Sequence, residues 1–352
     1  MKDLEVTPLR DPDFVPPRCP NAECPAHDPS RPFTYRRCGS FVRRVDRTRV
    51  QRFLCTVCSR SFSSQTFRLD YRLQRPDTLA PIFAALCSKT TLRKTARNLG
   101  LGREHVARRL RLLARHSRTH HLDRLDRAEK RVGGIGTSFQ FDELETYEEH
   151  RKLKPVTVAV LIERSSGFIV HTDAETLAAR RPLKGREIRQ LQRIEAREGV
   201  RRSGSTQAVR RTVERLVRVA DRTRRIEVTT DKKSSYRSAL DRMLGARVDH
   251  VRIDGRAERG TRSPLFPINH TLARLRDLAS RLVRQTWAAA KTRGALSDQL
   301  DVVTAFRNYV DGWRSEPAAR QRTTAAVQVG LAARRLTPAE FLHWRDPLLA
   351  PA

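Results

Sequence analysis

The chain has 352 residues, with 71 Lys or Arg against 39 Asp or Glu and a formal net charge of +32. That length suits two or three domains, and a sequence pI near 11.3 excludes an ordinary small-molecule enzyme as the default, pointing instead to a polyanionic partner such as nucleic acid. The first residues, Met1-Lys2-Asp3-Leu4-Glu5, include acids and no apolar run, and the longest apolar stretch, Val156 to Ile162, is strand-sized. The expectation is therefore a cytoplasmic, nucleoid-associated protein with no signal peptide and no membrane span.

Five of the six cysteines, Cys19, Cys24, Cys38, Cys55 and Cys58, lie near the N-terminus. Cys19-x4-Cys24 and Cys55-x2-Cys58 form two knuckles separated by strand-like stretches at 33–35, 40–45 and 50–54. Paired thiolates on tight turns converge readily on zinc, and a module this small needs such a staple to fold. The predicted ligands are Cys19, Cys24, Cys55 and Cys58. The first knuckle is loose, so His27 and Cys38 stand as alternative ligands. Cys87 sits alone in a helical stretch and reads as a core residue.

From Pro76 the periodicity becomes helical. One helix is expected over 78–87, and a second over 91–100, ending at Gly100. After Leu101-Gly102 a third should run from Arg103 to about His116, with Val106, Leu110 and Leu113 on one face. Helices around a Gly-containing turn fit a helix-turn-helix, which makes Arg103, His105, Arg108 and Arg109 candidate DNA contacts.

The run Thr137-Ser138-Phe139-Gln140-Phe141-Asp142-Glu143-Leu144-Glu145-Thr146-Tyr147-Glu148-Glu149 is an acidic island of five carboxylates in a basic chain, with Asp142 following strand-like alternation. Strands are expected over 156–163 and 167–171, joined by the turn Arg164-Ser165-Ser166-Gly167. The arginine-rich helical stretch 174–222 reads as an insertion that clamps DNA. A strand over 226–230 ends directly on Asp231, a helix and the strand 248–253 follow, and a long helix is expected from about Thr271 to Lys291. Asp142 and Asp231 thus both fall at strand ends, where carboxylates can share Mg2+ for phosphoryl transfer. Arg274, Arg281, Arg284 and Lys291 are spaced to line a phosphate-binding face.

Several blocks together resemble the DDE-type transposases of bacterial insertion sequences: Val50-Gln51-Arg52-Phe53-x-Cys55-x2-Cys58-x2-Ser61-Phe62-Ser63; Phe141-Asp142-Glu143; Thr230-Asp231-x4-Tyr236; and Pro264 to His270 followed by Leu275-Arg276-x4-Arg281-Leu282-x-Arg284-x-Thr286. Phe306-Arg307-Asn308-Tyr309 also fits. The resemblance implies a ribonuclease-H-like core that cuts DNA at element ends and joins the 3′-OH to target DNA. It also implies a third carboxylate, usually Glu, at the start of the last core helix, where this sequence has Asn269. Asp277, Glu258 and Asp254 are the alternatives for that role.

The expected architecture is multidomain: a zinc ribbon (1–75), an all-α helix-turn-helix (76–130), an α/β ribonuclease-H-like core with a helical insertion (131–295) and a helical C-terminal region (296–352). The expected function is that of a DNA transposase using structural Zn2+ and catalytic Mg2+, acting as a homo-oligomer on double-stranded DNA. A transposase-derived DNA-binding protein that has lost catalysis is the alternative.

Overall fold

The computed structural model describes residues 9–28, 30–254, 260–283, 287–312 and 323–345. The chain divides into two compact units, Met1–Ala80 with Ala339–Ala352, and Pro81–Pro338. Among the described residues, no helix is long and apolar enough to cross a membrane.

The first unit is built on a small sheet. Strand β1 (Leu9–Arg10) pairs in parallel with β3 (Arg49–Cys55), while β2 (Tyr35–Val42) and β4 (Ser61–Ser63) pair with β3 antiparallel. The β2–β3 register shifts between Arg37 and Ser40, at Gly39, whose φ of 75° is left-handed and costs glycine little. Phe14, Phe53, Phe62 and Phe67 pack with Cys19, Cys24 and Cys55 into the core. The Arg345 guanidinium covers the Phe14 ring at 3.9 Å and reaches Asp11 at 2.5 Å.

The second unit starts within helix α1 (Leu79–Leu86), at Pro81, and continues with α2 (Leu92–Asn98) and α3 (Arg103–Glu129). Thr91 caps α2 by accepting from the Lys94 N–H, and Gly100, with φ 61°, makes the turn between α2 and α3. Helix α3 runs well beyond the expected end near His116. No Gly or Pro interrupts it, and His116, Ser117, His120, Leu125 and Ala128 continue its buried stripe. Polar side chains there occupy interior positions that periodicity of aliphatic residues alone does not reveal.

A five-stranded sheet follows in the order β7-β6-β5-β8-β9, formed by β5 (Ser138–Tyr147), β6 (Pro155–Glu163), β7 (Ile169–Thr176), β8 (Ile226–Thr230) and β9 (Val248–Arg252). β6 runs antiparallel to both of its neighbours, β5 and β7, whereas β8 runs parallel to both β5 and β9. All nine residues of β6 are buried, which accounts for its largely apolar sequence. At the β6–β7 turn the Glu163 carboxylate accepts hydrogen bonds from the backbone and hydroxyl groups of Ser165 and Ser166.

The stretch expected as an arginine-rich insertion is divided between structural roles. It contains the end of β7, helix α4 (Gly185–Glu198) and helix α5 (Ser205–Val219). Ala208, Val209, Thr212, Val213 and Leu216 of α5 are buried, and the helix packs on β6 and β7. It is therefore a layer of the α/β core. Helix α6 (Ser234–Leu244) lies beside it.

The expected long helix after Thr271 is also different. Helix α7 (Phe266–Leu278) starts earlier, with Pro267 tolerated in its first turn, and ends at an extended Ala279 (φ −104°, ψ 114°). The chain then turns Arg281 inward to donate to the Ala295 carbonyl, and Ala290 bridges to Glu148. Helix α8 (Arg293–Ala305) continues into a π-helical turn at Phe306–Val310. Asn308 in that turn accepts from the Ile169 N–H at 2.9 Å and donates to the Ile169 carbonyl at 2.8 Å. Two short helices, α9 (Ala325–Gln328) and α10 (Pro338–His343), complete the described chain.

Candidate active site and metal centres

Parallel pairing of β5 with β8 sets Gln140 opposite Thr229. Asp142 lies in the middle of β5, not at a strand end as expected, while Asp231 directly follows the last residue of β8; the Asp231 charge acts on the Asp142 carboxyl. Side chains two apart share a strand face, so Asp142 stands on the face of β5 that carries Gln140. Burial pushes the Asp142 carboxyl up to about 6, and the negative charges of Asp231 and Glu143 act in the same direction. Asp231 closes a local turn by accepting the Lys233 N–H at 3.0 Å.

Gln140, fully buried, anchors the start of α7. Its amide donates to the Pro264 carbonyl at 2.6 Å and accepts from the Ile268 N–H at 2.9 Å. Asn269 is the next residue, exposed in the first turn of the helix. The alternatives for a third ligand stand elsewhere. Asp277 lies eight residues along the helix, about 12 Å away, where Arg274 and Lys89 pair with it at 3.1 and 3.6 Å. Asp254 follows β9, on the far side of β8 from Asp142, and pairs with Lys232 at 3.2 Å. Glu258 lies outside the described residues.

Glu143 turns to the opposite face of β5 from Asp142. Its side chain, only 7% exposed, pairs with Lys233. It also accepts hydrogen bonds from Thr157 Oγ1 (2.9 Å), Ser205 Oγ (2.8 Å) and Tyr236 Oη (2.9 Å). The Phe141 ring packs at 4.5 Å from the Tyr236 ring on that side. A buried carboxylate so fully engaged organises its surroundings rather than reaching a substrate. Sequence reading left Glu143, Lys233 and Gln140 without roles. Strand alternation was the available signal, because it forbids Asp142 and Glu143 from serving one site.

In the first unit the sulfur atoms of Cys19, Cys24, Cys55 and Cys58 all lie within 4.8 Å of one another. Cys19–Cys58 and Cys24–Cys55 are separated by 3.6 and 3.8 Å. Tetrahedral zinc with Zn–S bonds of about 2.3 Å requires sulfurs about 3.8 Å apart, so the thiols fit a structural metal ion. Backbone N–H groups of Asn21, Ala26 and Arg60 address Cys19, Cys24 and Cys58, as an outer shell does for metal-bound thiolates. The alternative ligands stand outside this group: Cys38 lies on β2 at its irregularity, and His27 Nε2 is 2.8 Å from the Asn21 carbonyl. Cys87 is buried.

The candidate DNA contacts differ in availability. Arg103 and Arg108 are exposed near the start of α3, with Arg103 beside Glu104 at 2.7 Å, while His105 and Arg109 are half-buried. Arg274 pairs with Asp277 and Asp311, both at 3.1 Å. Arg281 is a correction: it is buried against the Ala295 carbonyl and does not line a surface. Its burial replaces the helical phosphate-binding face expected over Arg274 to Lys291. Lys291 is exposed ahead of α8, and Arg284 lies outside the described residues.

No protein-family model and no curated protein matches this chain. Among solved structures, the catalytic domain of Mos1 mariner transposase matches at 12% identity and a TM-score of 0.27, over 65% of this chain and 89% of that one. A pre-cleavage Mos1 transpososome matches at 11% identity and a TM-score of 0.22, over 62% and 70%. Scores this low carry no weight in assigning function, which rests on the residues themselves.

Proposed function

We propose that this protein is a transposase-type enzyme that cleaves and rejoins DNA phosphodiesters, with Asp142 and Asp231 as its essential carboxylates. The observation that carries this reading is the placement of Asp142 on β5 and of Asp231 directly after β8, its parallel neighbour, in a chain of net charge +32. The sheet order, antiparallel on one side of β5 and parallel on the other, supports a ribonuclease-H-like core. The helix-turn-helix and the four-cysteine module supply surfaces for DNA recognition.

The donor set suits Mg2+: two carboxylates whose mutual repulsion a cation relieves, with the Asn269 carbonyl as a neutral third oxygen donor. Bound there, the ion would supply Lewis-acid stabilisation of the phosphoryl group and a lower pKa for the attacking water or 3′-OH. Gln140 holds α7, and with it Asn269, against the strand that bears Asp142. Glu143 and Lys233 fasten the turn that bears Asp231. These contacts keep the acids in place without reorganisation during the reaction. Asn269 in place of an acid favours the second reading, a DNA-binding protein derived from such an enzyme.

Duplexes carrying the sequences that flank the gene, incubated with Mg2+ or Mn2+, test both readings. The enzyme should nick the duplex and join its 3′ ends to a second DNA, while Asp142→Ala and Asp231→Ala bind equally well and do neither. Binding by all three proteins with cleavage by none would refute the catalytic reading and leave the second.

A further inference from the structure

Beyond Asp142, β5 borders a cavity of about 350 Å³ lined by Thr146, Tyr147, Arg151, Arg180 and Arg276, with Glu145 as the acidic member of that wall. Three guanidinium groups from three separate segments converge there: Arg151 after β5, Arg180 after β7 and Arg276 on α7. Glu145 pairs with Arg180, which fixes that side chain, and the lining brings three guanidinium groups together with one carboxylate. We infer that this cavity is a phosphate subsite, receiving a backbone phosphodiester of the DNA that lies across Asp142 and Asp231. The inference rests on the proposed phosphodiester chemistry and adds where the flanking strand is held.

Two features support DNA phosphate over a small acidic metabolite. Thr146 and Asp142 share one face of β5 four residues apart, about 13 Å, close to the through-space separation of phosphates about two nucleotides apart on one strand, since the backbone winds as it rises. A duplex with one phosphate at the acids therefore reaches the cavity with another. The arginine forks also suit the paired non-bridging oxygens of a phosphodiester. Arg151 in the cavity lining is exposed to solvent, as contact with a continuous backbone requires.

The test is the salt dependence of binding to a fluorescein-labelled duplex of arbitrary sequence. Each neutralised phosphate contributes about 0.9 to the slope of log K against log [salt]. Arg151→Gln should lower the slope by up to about 1 and Arg151→Gln/Arg276→Gln by about 1, with affinity falling three- to tenfold. Arg225→Gln and Arg237→Gln, which remove equal charge where Asp249 and Asp241 pair with those arginines, should leave it nearly unchanged. Arg151 is exposed, so its single variant reports on the cavity even if the double variant unfolds. If both cavity variants keep the wild-type slope, or the controls lose as much, the subsite is refuted while the functional proposal stands. If wild type does not bind duplex DNA at all, the functional proposal itself fails.

Discussion

The Lys233 ammonium, two residues beyond Asp231, is ion-paired with the carboxylate of Glu143, the residue after Asp142. One pair thus fastens together the two chain segments that carry the proposed catalytic acids. Thr157 on β6, Ser205 at the start of α5 and Tyr236 on α6 converge on the same carboxylate.

Removing Glu143 leaves that set of donors inside the protein without their acceptor. Glu143→Ala should cost about 3 kcal/mol in urea unfolding. Lys233→Met should cost about 1 kcal/mol or less, because its side chain is 40% exposed. Its effect should fall on function: weaker Mn2+ binding in an electron paramagnetic resonance titration, with duplex affinity retained. Equal Mn2+ affinity in wild type and Lys233→Met would remove this pair from the site.

At the start of α7, Asn269→Ala should reduce DNA cleavage at least tenfold. Asp277→Ala should leave it within about twofold, since Asp277 is engaged with Arg274 and Lys89. A nicking time course on one duplex compares them directly. The reverse ranking would place the third ligand two turns further along the helix.

The cysteine cluster predicts one zinc ion per chain by elemental analysis. Cys58→Ser should abolish stoichiometric zinc, whereas Cys38→Ser and Cys87→Ser should retain it. Strong chelation should melt the first unit, because Phe14, Phe53 and Phe67 pack directly around the ligand cysteines. Full zinc content in Cys58→Ser would overturn the assignment.

His121 gives a pH dependence that does not involve the proposed metal ligands. Its Nε2 is 3.1 Å from the Val170 carbonyl, which can only accept, so Nε2 carries the proton and Nδ1 accepts from Tyr309 Oη at 3.0 Å. Burial lowers its pKa to about 4, with the positive charges of His171 and Arg215 adding to that effect. Because the folded value lies below the unfolded one of about 6.5, the stabilisation is complete above about pH 6.5. It is lost as pH falls towards 4, by up to about 3 kcal/mol. Urea midpoints at pH 7 and pH 4.5 should therefore separate more for wild type than for His121→Gln.

What the sequence made legible followed the local rules. The apolar run of β6 and the Ser-Ser-Gly turn after it read directly as a strand entering a hairpin, and the knuckle spacing picked out the thiols that converge. Composition misled where it outweighed periodicity. The arginines of 205–219 hid an α5 whose Ala208, Val209, Val213 and Leu216 face the core. Arg281 and His120 were hard to place because both are polar side chains drawn inside by tertiary packing. At the site, each acid was visible alone. Their closeness depends on pairing between strands distant in sequence, and Gln140 finds its partners on α7 more than a hundred residues later.

Asn308 carries a different consequence. Its side-chain amide uses both hydrogen-bonding groups of Ile169 on β7, the outermost strand on that side of the sheet. A foreign strand therefore meets a margin already sealed at that point. A second copy of this chain cannot extend the sheet past β7 at Ile169, so on that side any contact between copies would have to come from helices or loops.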